Sequence, residues 1–241
     1  MLEGASVAVV VPAYNEARLV ARTLAGIPAF VDHVIVVDDA SDDDTARAAA
    51  QVGDPRVEVV RHASNRGVGA AIATGARVAF RHRGADVVAV MAGDAQMDPS
   101  DLERVVLPVA RGEVDYCKGD RLSHPSVLRA MPPHRLVANH VLSRLTGLAT
   151  GIPVRDSQCG YTAISRAAAQ RVALDRVWPG YGYPNDLLGR AASAGLRVRE
   201  VTVRPVYADE ESGIRVHHGL VVIPLLLART ALARTMRARL S

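Results

Sequence analysis

Cysteine is nearly absent from this chain of 241 residues: Cys117 and Cys159 are the only two, far apart and outside any CxxC pair. That argues against a disulfide framework or a zinc site and fits a reducing cytosol. No basic leader precedes the first apolar run "SVAVVVP", so no signal peptide is expected. Long hydrophobic runs are missing too. The longest uncharged one, Leu220 to Ala228, is too short to cross a bilayer, which leaves only peripheral membrane contact in this chain. There is no internal repeat, low-complexity tract or linker. No G-x-G-x-x-G follows the first apolar run, which excludes a nicotinamide-dependent oxidoreductase. "PAYNEARL" is acidic and glycine-free, which disfavours a sugar nucleotidyltransferase.

What is present is a packed α/β pattern. Apolar residues make up 49% of the chain, enough for one large domain. The net charge of +4 suits phosphorylated ligands or an anionic membrane surface, and no nucleic-acid partner is expected. Strand-length runs at "SVAVVVP", "HVIVVDD", "RVEVVR" and "DVVAVM" alternate with segments of helical spacing. The helix in "DDTARAAAQV" has Asp43 or Asp44 as its cap, and "PSDLERVVLPVA" opens on a capping-box pattern of Ser100 and Glu103. "EVDYCKG", "QCGYTAIS" and "LRVREVTVRP" read as later strands, and "PNDLLGRAASAG" as a helix. Residues 120–156 read as a mobile loop followed by a helix near Leu136 to Leu148. The expectation is a mostly parallel sheet covered on both faces, with residues 1–218 as one domain. Residues 219–241 would form a C-terminal apolar-then-basic helix, either packed on the core or lying in a membrane interface. Its arginines do not line one face, which weakens the membrane reading.

The strand ends are unusually polar: "PAYNE", "DDASDDDT", "HASNRG" and "AGDAQMDP". Each alone is ordinary turn and cap chemistry. Four on one sheet edge, where open α/β sheets bind ligands, point to a site. If the ligand is a nucleotide diphosphate, Asp39 and Glu16 would accept hydrogen bonds from its base or ribose. Clustered carboxylates repel a bare diphosphate, so a divalent cation is needed between them. Asp94 and the Gln96 carbonyl offer the hard oxygens that Mg²⁺ or Mn²⁺ takes, with phosphate oxygens and water completing the shell.

This constellation resembles glycosyltransferase family 2, inverting enzymes of the GT-A (Rossmann-like) fold, and within it the dolichol-phosphate mannosyltransferase-like and polyprenyl-phosphate branch. "VVVPAYNEARLV", "VIVVDDASDDDT", "NRGVGAAIATG", "GDAQMDP", "DSQCGYTAIS" and "YGYPNDLL" carry the resemblance, with a weaker echo in "VYADEESGIR". It implies that Pro12, Tyr14, Glu16 and Asp39 bind the nucleoside of a sugar nucleotide, with Ala92 and Gly93 beside it. It implies that Asp94 and Gln96 hold the metal, and that Arg121, Arg135 and Asn139 form an acceptor-phosphate pocket. Asp156 would be a catalytic base or an orienting group. Arg215 would reach the donor diphosphate, with Arg204 as its rival. His217 and His218 are candidate metal ligands, although adjacent histidines are commonly just solvent-exposed. Trp178 and Tyr181 would line a sugar pocket or anchor a loop. The implied reaction moves a sugar from a UDP- or GDP-sugar to a polyprenyl phosphate at the cytoplasmic side of a membrane. A soluble hydroxyl acceptor and a catalytically silent nucleotide-sugar-binding protein are the alternatives.

One position departs from the family pattern. Where Asp-x-Asp, most often with x-Gln after it, is usual, the chain reads Ala92-Gly93-Asp94-Ala95-Gln96. Three explanations compete: an engineered Asp→Ala variant, a natural enzyme using Asp98 or water instead, and a protein that has lost catalysis. The intact neighbouring motifs favour the first.

Overall fold

The computed structural model describes residues 1–207 and 221–238. Seven strands form one sheet: β1 (Val7–Ala13), β2 (His33–Asp38), β3 (Val57–Arg61), β4 (Val87–Val90), β5 (Tyr116–Asp120), β6 (Thr162–Ser165) and β7 (Val198–Thr202). Their spatial order is β3-β2-β1-β4-β6-β5-β7. All runs expected as strands contain one. β1 pairs in parallel with β2 and β4, β2 with β3, and β5 with β7. Only β6 runs against its neighbours β4 and β5. Six strands therefore deliver their carboxyl ends to one edge of the sheet, and β6 begins at that same edge.

The core follows from period-2 alternation along buried strands. Val7, Val9 and Val11 face helices α1 (Val20–Ala25) and α4 (Leu102–Ala110), through Leu24, Leu102, Val105 and Val106. Ala8, Val10, Ile35 and Val37 face the other layer, with α3 (Val68–His82) and α8 (Tyr183–Ser193). Between them in sequence lie α2 (Thr45–Ala50), α5 (Val127–Ala130), α6 (Pro133–Thr150) and α7 (Arg166–Arg171). The last helix, α9 (Ile223–Ala238), packs on α6 and α8.

Several local expectations need correction. The first helix starts at Val20, after residues 14–19, which form a loop tied to the next one. Asp43 rather than Asp44 serves the start of α2, accepting from Thr45 N at 3.0 Å. Ser100 is not a cap. Asp98 caps a short 3₁₀ turn (Pro99–Asp101), accepting from Ser100 N at 3.0 Å and Ser100 Oγ at 2.7 Å. The segment expected as a mobile loop contains α5, and α6 begins at Pro133, where the fixed proline φ suits a first helical position. Gly151, at φ 76°, closes α6 in the left-handed conformation.

Candidate active site

The loops after β1 and β2 are buttoned together. Asn15 N donates to Ser41 Oγ (2.9 Å), Glu16 N to Thr45 Oγ1 (2.8 Å), Ala17 N to Asp43 Oδ2 (3.1 Å) and Asp42 N to Asn15 Oδ1 (2.9 Å). Much of the acidity in "DDASDDDT" therefore holds backbone: Asp38 accepts from Ser41 N at 3.0 Å, and Asp43 bridges both loops. Three of the five non-glycine residues with positive φ among the described residues sit at this edge: Asn15 (58°), Ala40 (61°) and Ala95 (57°). Left-handed backbone is costly for alanine, and its clustering beyond three parallel strands marks a site held in shape by its surroundings.

Asp39 is buried and organises the third loop. Its carboxylate accepts from His62 Nδ1 (2.7 Å), Arg66 N (2.9 Å) and Gly67 N (2.7 Å), while His62 Nε2 lies 3.0 Å from Thr74 Oγ1. A carboxylate has about four acceptor positions, so roughly one remains for a ligand. Pro12 is buried in β1, and its carbonyl accepts from Gly93 N at 3.0 Å; Tyr14 is exposed beyond it.

The amino end of α3 meets the segment 177–182. Gly69 N donates to Pro179 O at 2.7 Å, and a Cβ on Gly69 would come within 2.1 Å of Trp178 O. Absence of a side chain there brings "WPGYG" against "NRGVG" and holds Tyr181 near the acidic edge. Burial raises the Tyr181 phenol pKa, and the charges of Asp94 and Glu16 add to the rise. Asp186 fixes the same segment from below, accepting from Trp178 N and Arg190 Nε, each at 2.8 Å, and pairing with Arg229 of α9. Gly69→Ala is expected to cost about 1–3 kcal/mol in urea denaturation, the usual price of overpacking. It should also raise the KM for the donor, and an unchanged KM would separate this segment from the site.

At the end of β4, Ala95 turns the chain so that Gln96 N donates to Asp94 Oδ1 at 3.0 Å, and Ala92 N lies 3.3 Å from Met97 Sδ. Ala92 itself is partly exposed. Among the described residues, no group of three or more His, Cys, Asp or Glu side chains converges as a metal site. One carboxylate and one amide oxygen still fit a cation held mainly by substrate phosphates, the usual arrangement for Mg²⁺. Asp98 is occupied as a cap and lies 3.5 Å from Arg204 Nη1, while Arg204 N donates to Asp101 Oδ2 at 2.7 Å. That removes support from Asp98 as a replacement ligand and from Arg204 as the diphosphate arginine. Arg215, His217 and His218 lie outside the described residues.

The second pole forms where β5 ends and the chain approaches β6. Asp156, fully buried, takes Arg121 in a bidentate pair, Nε–Oδ2 2.7 Å and Nη2–Oδ1 3.0 Å, and also accepts from Arg121 N at 3.1 Å. The buried Lys118 ammonium donates to the Asp156 carbonyl, with Glu200 3.8 Å away. Burial pushes the Asp156 carboxyl up, but the Arg121 charge and hydrogen bonds outweigh it and hold its pKa below the ordinary value. A carboxylate so enclosed orients Arg121; it is badly placed to take a proton from an acceptor. Arg121 retains three guanidinium N–H groups outside this pair. Arg135 Cζ lies 5.9 Å from the Tyr207 ring centroid. Burial raises the Tyr207 phenol pKa, and the charges of Arg121 and Arg135 oppose that rise. Asn139, one turn beyond Arg135 on α6, has its Nδ2 3.5 Å from Met131 Sδ. Tyr207 was not singled out from the sequence, because no spacing links it to residues so distant along the chain.

Comparison with known proteins matches this geometry to one family. Residues 8–173 match the model of Glycosyl transferase family 2. A UDP-N-acetylglucosamine–dolichyl-phosphate N-acetylglucosaminyltransferase of Methanococcus voltae is 28% identical over 83% of this chain and 85% of its own. A polyprenol monophosphomannose synthase of Mycolicibacterium smegmatis is 31% identical, covering 86% and 78% respectively. An undecaprenyl-phosphate mannosyltransferase of Micrococcus luteus is 30% identical, covering 85% and 84%. Among solved structures, glucosyl-3-phosphoglycerate synthase of Mycobacterium tuberculosis, in complex with Mn²⁺, UDP and phosphoglyceric acid, superposes with a TM-score of 0.70 at 22% identity. That superposition covers 96% of this chain and 78% of the other, and supports the fold. The chain belongs to glycosyltransferase family 2 and is a glycosyltransferase of the GT-A fold.

Proposed function

We propose that this glycosyltransferase moves a sugar, with inversion, from a nucleotide sugar to a polyprenyl phosphate. The observation that carries the choice of acceptor is the enclosed Asp156–Arg121 pair, together with Arg135 over the Tyr207 ring, whose phenol feels both arginine charges. A hydroxyl acceptor needs a base to take its proton. A phosphate is anionic near neutral pH and needs cations to hold it instead. The site supplies two arginines and keeps its buried carboxylate engaged, which favours the phosphate. The names of the relatives from Methanococcus, Mycolicibacterium and Micrococcus, all acting on polyprenyl-type phosphates, support the same reading.

In this reading Arg121, Arg135 and Asn139 bind the acceptor phosphate. Its oxygen attacks the anomeric carbon from the face opposite the leaving nucleoside diphosphate, forming the new bond as the old one breaks. Asp156 keeps the Arg121 guanidinium in register. Asp39, with its remaining acceptor position, and Glu16, Pro12 and Tyr14 bind the nucleoside. Asp94 and Gln96 hold Mg²⁺ or Mn²⁺, which offsets the charge gathering on the departing diphosphate. Tyr181 closes the acidic edge from above. The Mn²⁺ in the glucosyl-3-phosphoglycerate synthase structure supports a divalent cation.

Calorimetric titration with UDP- and GDP-sugars, with and without Mn²⁺, tests the donor half. Binding of one nucleotide class that needs the metal is the expected result. Absence of binding by this chain and by its Ala92→Asp variant alike would remove the donor site. The lone carboxylate at the metal position favours one second reading, a silent nucleotide-sugar-binding protein. It predicts donor binding without turnover even after aspartate is restored.

A further inference from the structure

We propose that the joint outer face of α6 and α9 is a docking surface for an anionic lipid bilayer. The first observation is that α6 is built inside out. Its buried face is largely polar: Ser143 accepts from Ser157 N at 2.9 Å, Thr146 Oγ1 donates to Asn185 Oδ1 at 2.8 Å, and Thr150 is buried beside them. Its outer face carries Val137, Val141, Leu145 and Leu148, between 46% and 73% exposed, at steps that keep one side of a helix. A helix facing water shows the opposite arrangement. The adjoining α9 also exposes Leu225 and Leu232, 65% and 62% at a seven-residue step that keeps one side of the helix. Of thirteen large apolar side chains exposed among the described residues, nine lie on α5, α6 and residues 221–236, so the apolar surface is concentrated in one place.

The second observation is charge. Residues 121–155 contain five arginines and no carboxylate, and residues 221–238 contain three arginines and no carboxylate. Setting those eight arginines aside leaves 21 basic against 25 acidic side chains, a net −4, in the rest of a chain whose total is +4. Arg121 and Arg229 are paired with the buried Asp156 and Asp186, while Arg144 is exposed between Val141 and Leu145 and Arg129 and Arg155 are exposed on the same segment. Exposed apolar side chains on a segment whose exposed charges are all arginine suit the boundary between acyl chains and anionic headgroups. A second copy of this chain would bring the same sign of charge against itself, which disfavours dimerisation through this face. No described helix is long and apolar enough to cross a membrane, so α6 and α9 would lie in the plane of the surface. Arg135 and Asn139 belong to α6 as well, so docking would hold the acceptor pocket at headgroup depth. The docking surface stands on exposure and charge, and does not depend on the acceptor assignment.

Flotation of the full chain with vesicles tests it. Binding is expected to phosphatidylcholine vesicles containing phosphatidylglycerol, and much less to phosphatidylcholine alone. Leu145→Gln, Leu148→Gln, Leu225→Gln and Leu232→Gln combined should lower binding roughly tenfold or more. Arg144→Gln should lower it about fivefold, on anionic vesicles only. Unchanged thermal unfolding and nucleotide-sugar titration would verify that the variants are folded. The proposal is overturned if the wild-type chain ignores both vesicles, or if the fourfold variant floats as well as the wild type. It is equally overturned if sedimentation finds a dimer that the fourfold variant turns into a monomer with vesicle binding intact. Vesicle binding without sugar transfer to a polyprenyl phosphate by either this chain or its Ala92→Asp variant would leave the docking surface standing and remove the acceptor assignment.

Discussion

Ala92→Asp is expected to tighten metal-dependent donor binding by roughly 10- to 100-fold or more, the scale on which even an indirect partner of a metal ligand acts. The restored carboxylate would join Asp94 and Gln96 at the carboxyl end of β4. Position 92 is partly exposed, so the new charge escapes the penalty of an unpaired buried carboxylate. The substitution supplies what Asp98 cannot, because Asp98 is held by Ser100 and lies close to Arg204. Sugar transfer should rise at least as much as binding, since the cation acts on charge that grows toward the transition state. Calorimetry with Mn²⁺ and a transfer assay with a polyprenyl phosphate measure the two effects. Tighter binding with no transfer would favour the silent binding protein. No change in either would mean that position 92 does not face the metal.

Asp156→Asn should be the most damaging conservative change, costing about 3–5 kcal/mol, because it strands the Arg121 charge without its partner. The asparagine keeps the carbonyl that receives Lys118, so the loss isolates the carboxylate. Urea denaturation of Asp156→Asn, Arg121→Gln and the double variant forms a cycle. The double variant is expected to recover more than about 1 kcal/mol relative to the sum of the single changes. The pH dependence has a definite sign. A carboxyl whose folded pKa is lowered adds stability that is complete above its unfolded value of about 4 and is lost as pH falls through the lower folded value. The wild type should therefore lose this contribution on the acid side only, and Asp156→Asn should lack that part of the acid slope. In catalysis the variant should lose transfer while keeping donor affinity. Equal losses of both would show that Asp156 supports the whole domain and not the acceptor pole alone.

Much of the fold was legible because buried parallel strands leave a plain mark: short valine-rich runs that end abruptly in polar residues. "SVAVVVP" and "HVIVVDD" could be little else, and their shared edge followed from the alternation with helices. Helix starts were harder to read. Ser100 and Glu103 fit a capping pattern, yet Asp98 holds that turn, since which of several neighbouring oxygens reaches an N–H depends on backbone angles. No spacing in the polar run after β1 shows what fixes that loop, because its backbone is committed to Ser41 and Thr45, partners that the sequence places on another strand's loop.

By itself, the sequence determined the residue types at each strand end, and hence a family and a polar, acidic sheet edge. It also showed that one carboxylate of the usual set is missing. Only the tertiary structure decided which of those groups are available. Asp39 spends most of its acceptor capacity on His62 and the third loop, Asp98 becomes a cap, and Asp156 turns from candidate base into the anchor of Arg121. The reason is that a carboxylate's role is set by its neighbours in space. Burial and hydrogen bonding fix both its charge and its open lone pairs, and those neighbours meet only when β6 reverses direction and the loops close over the sheet.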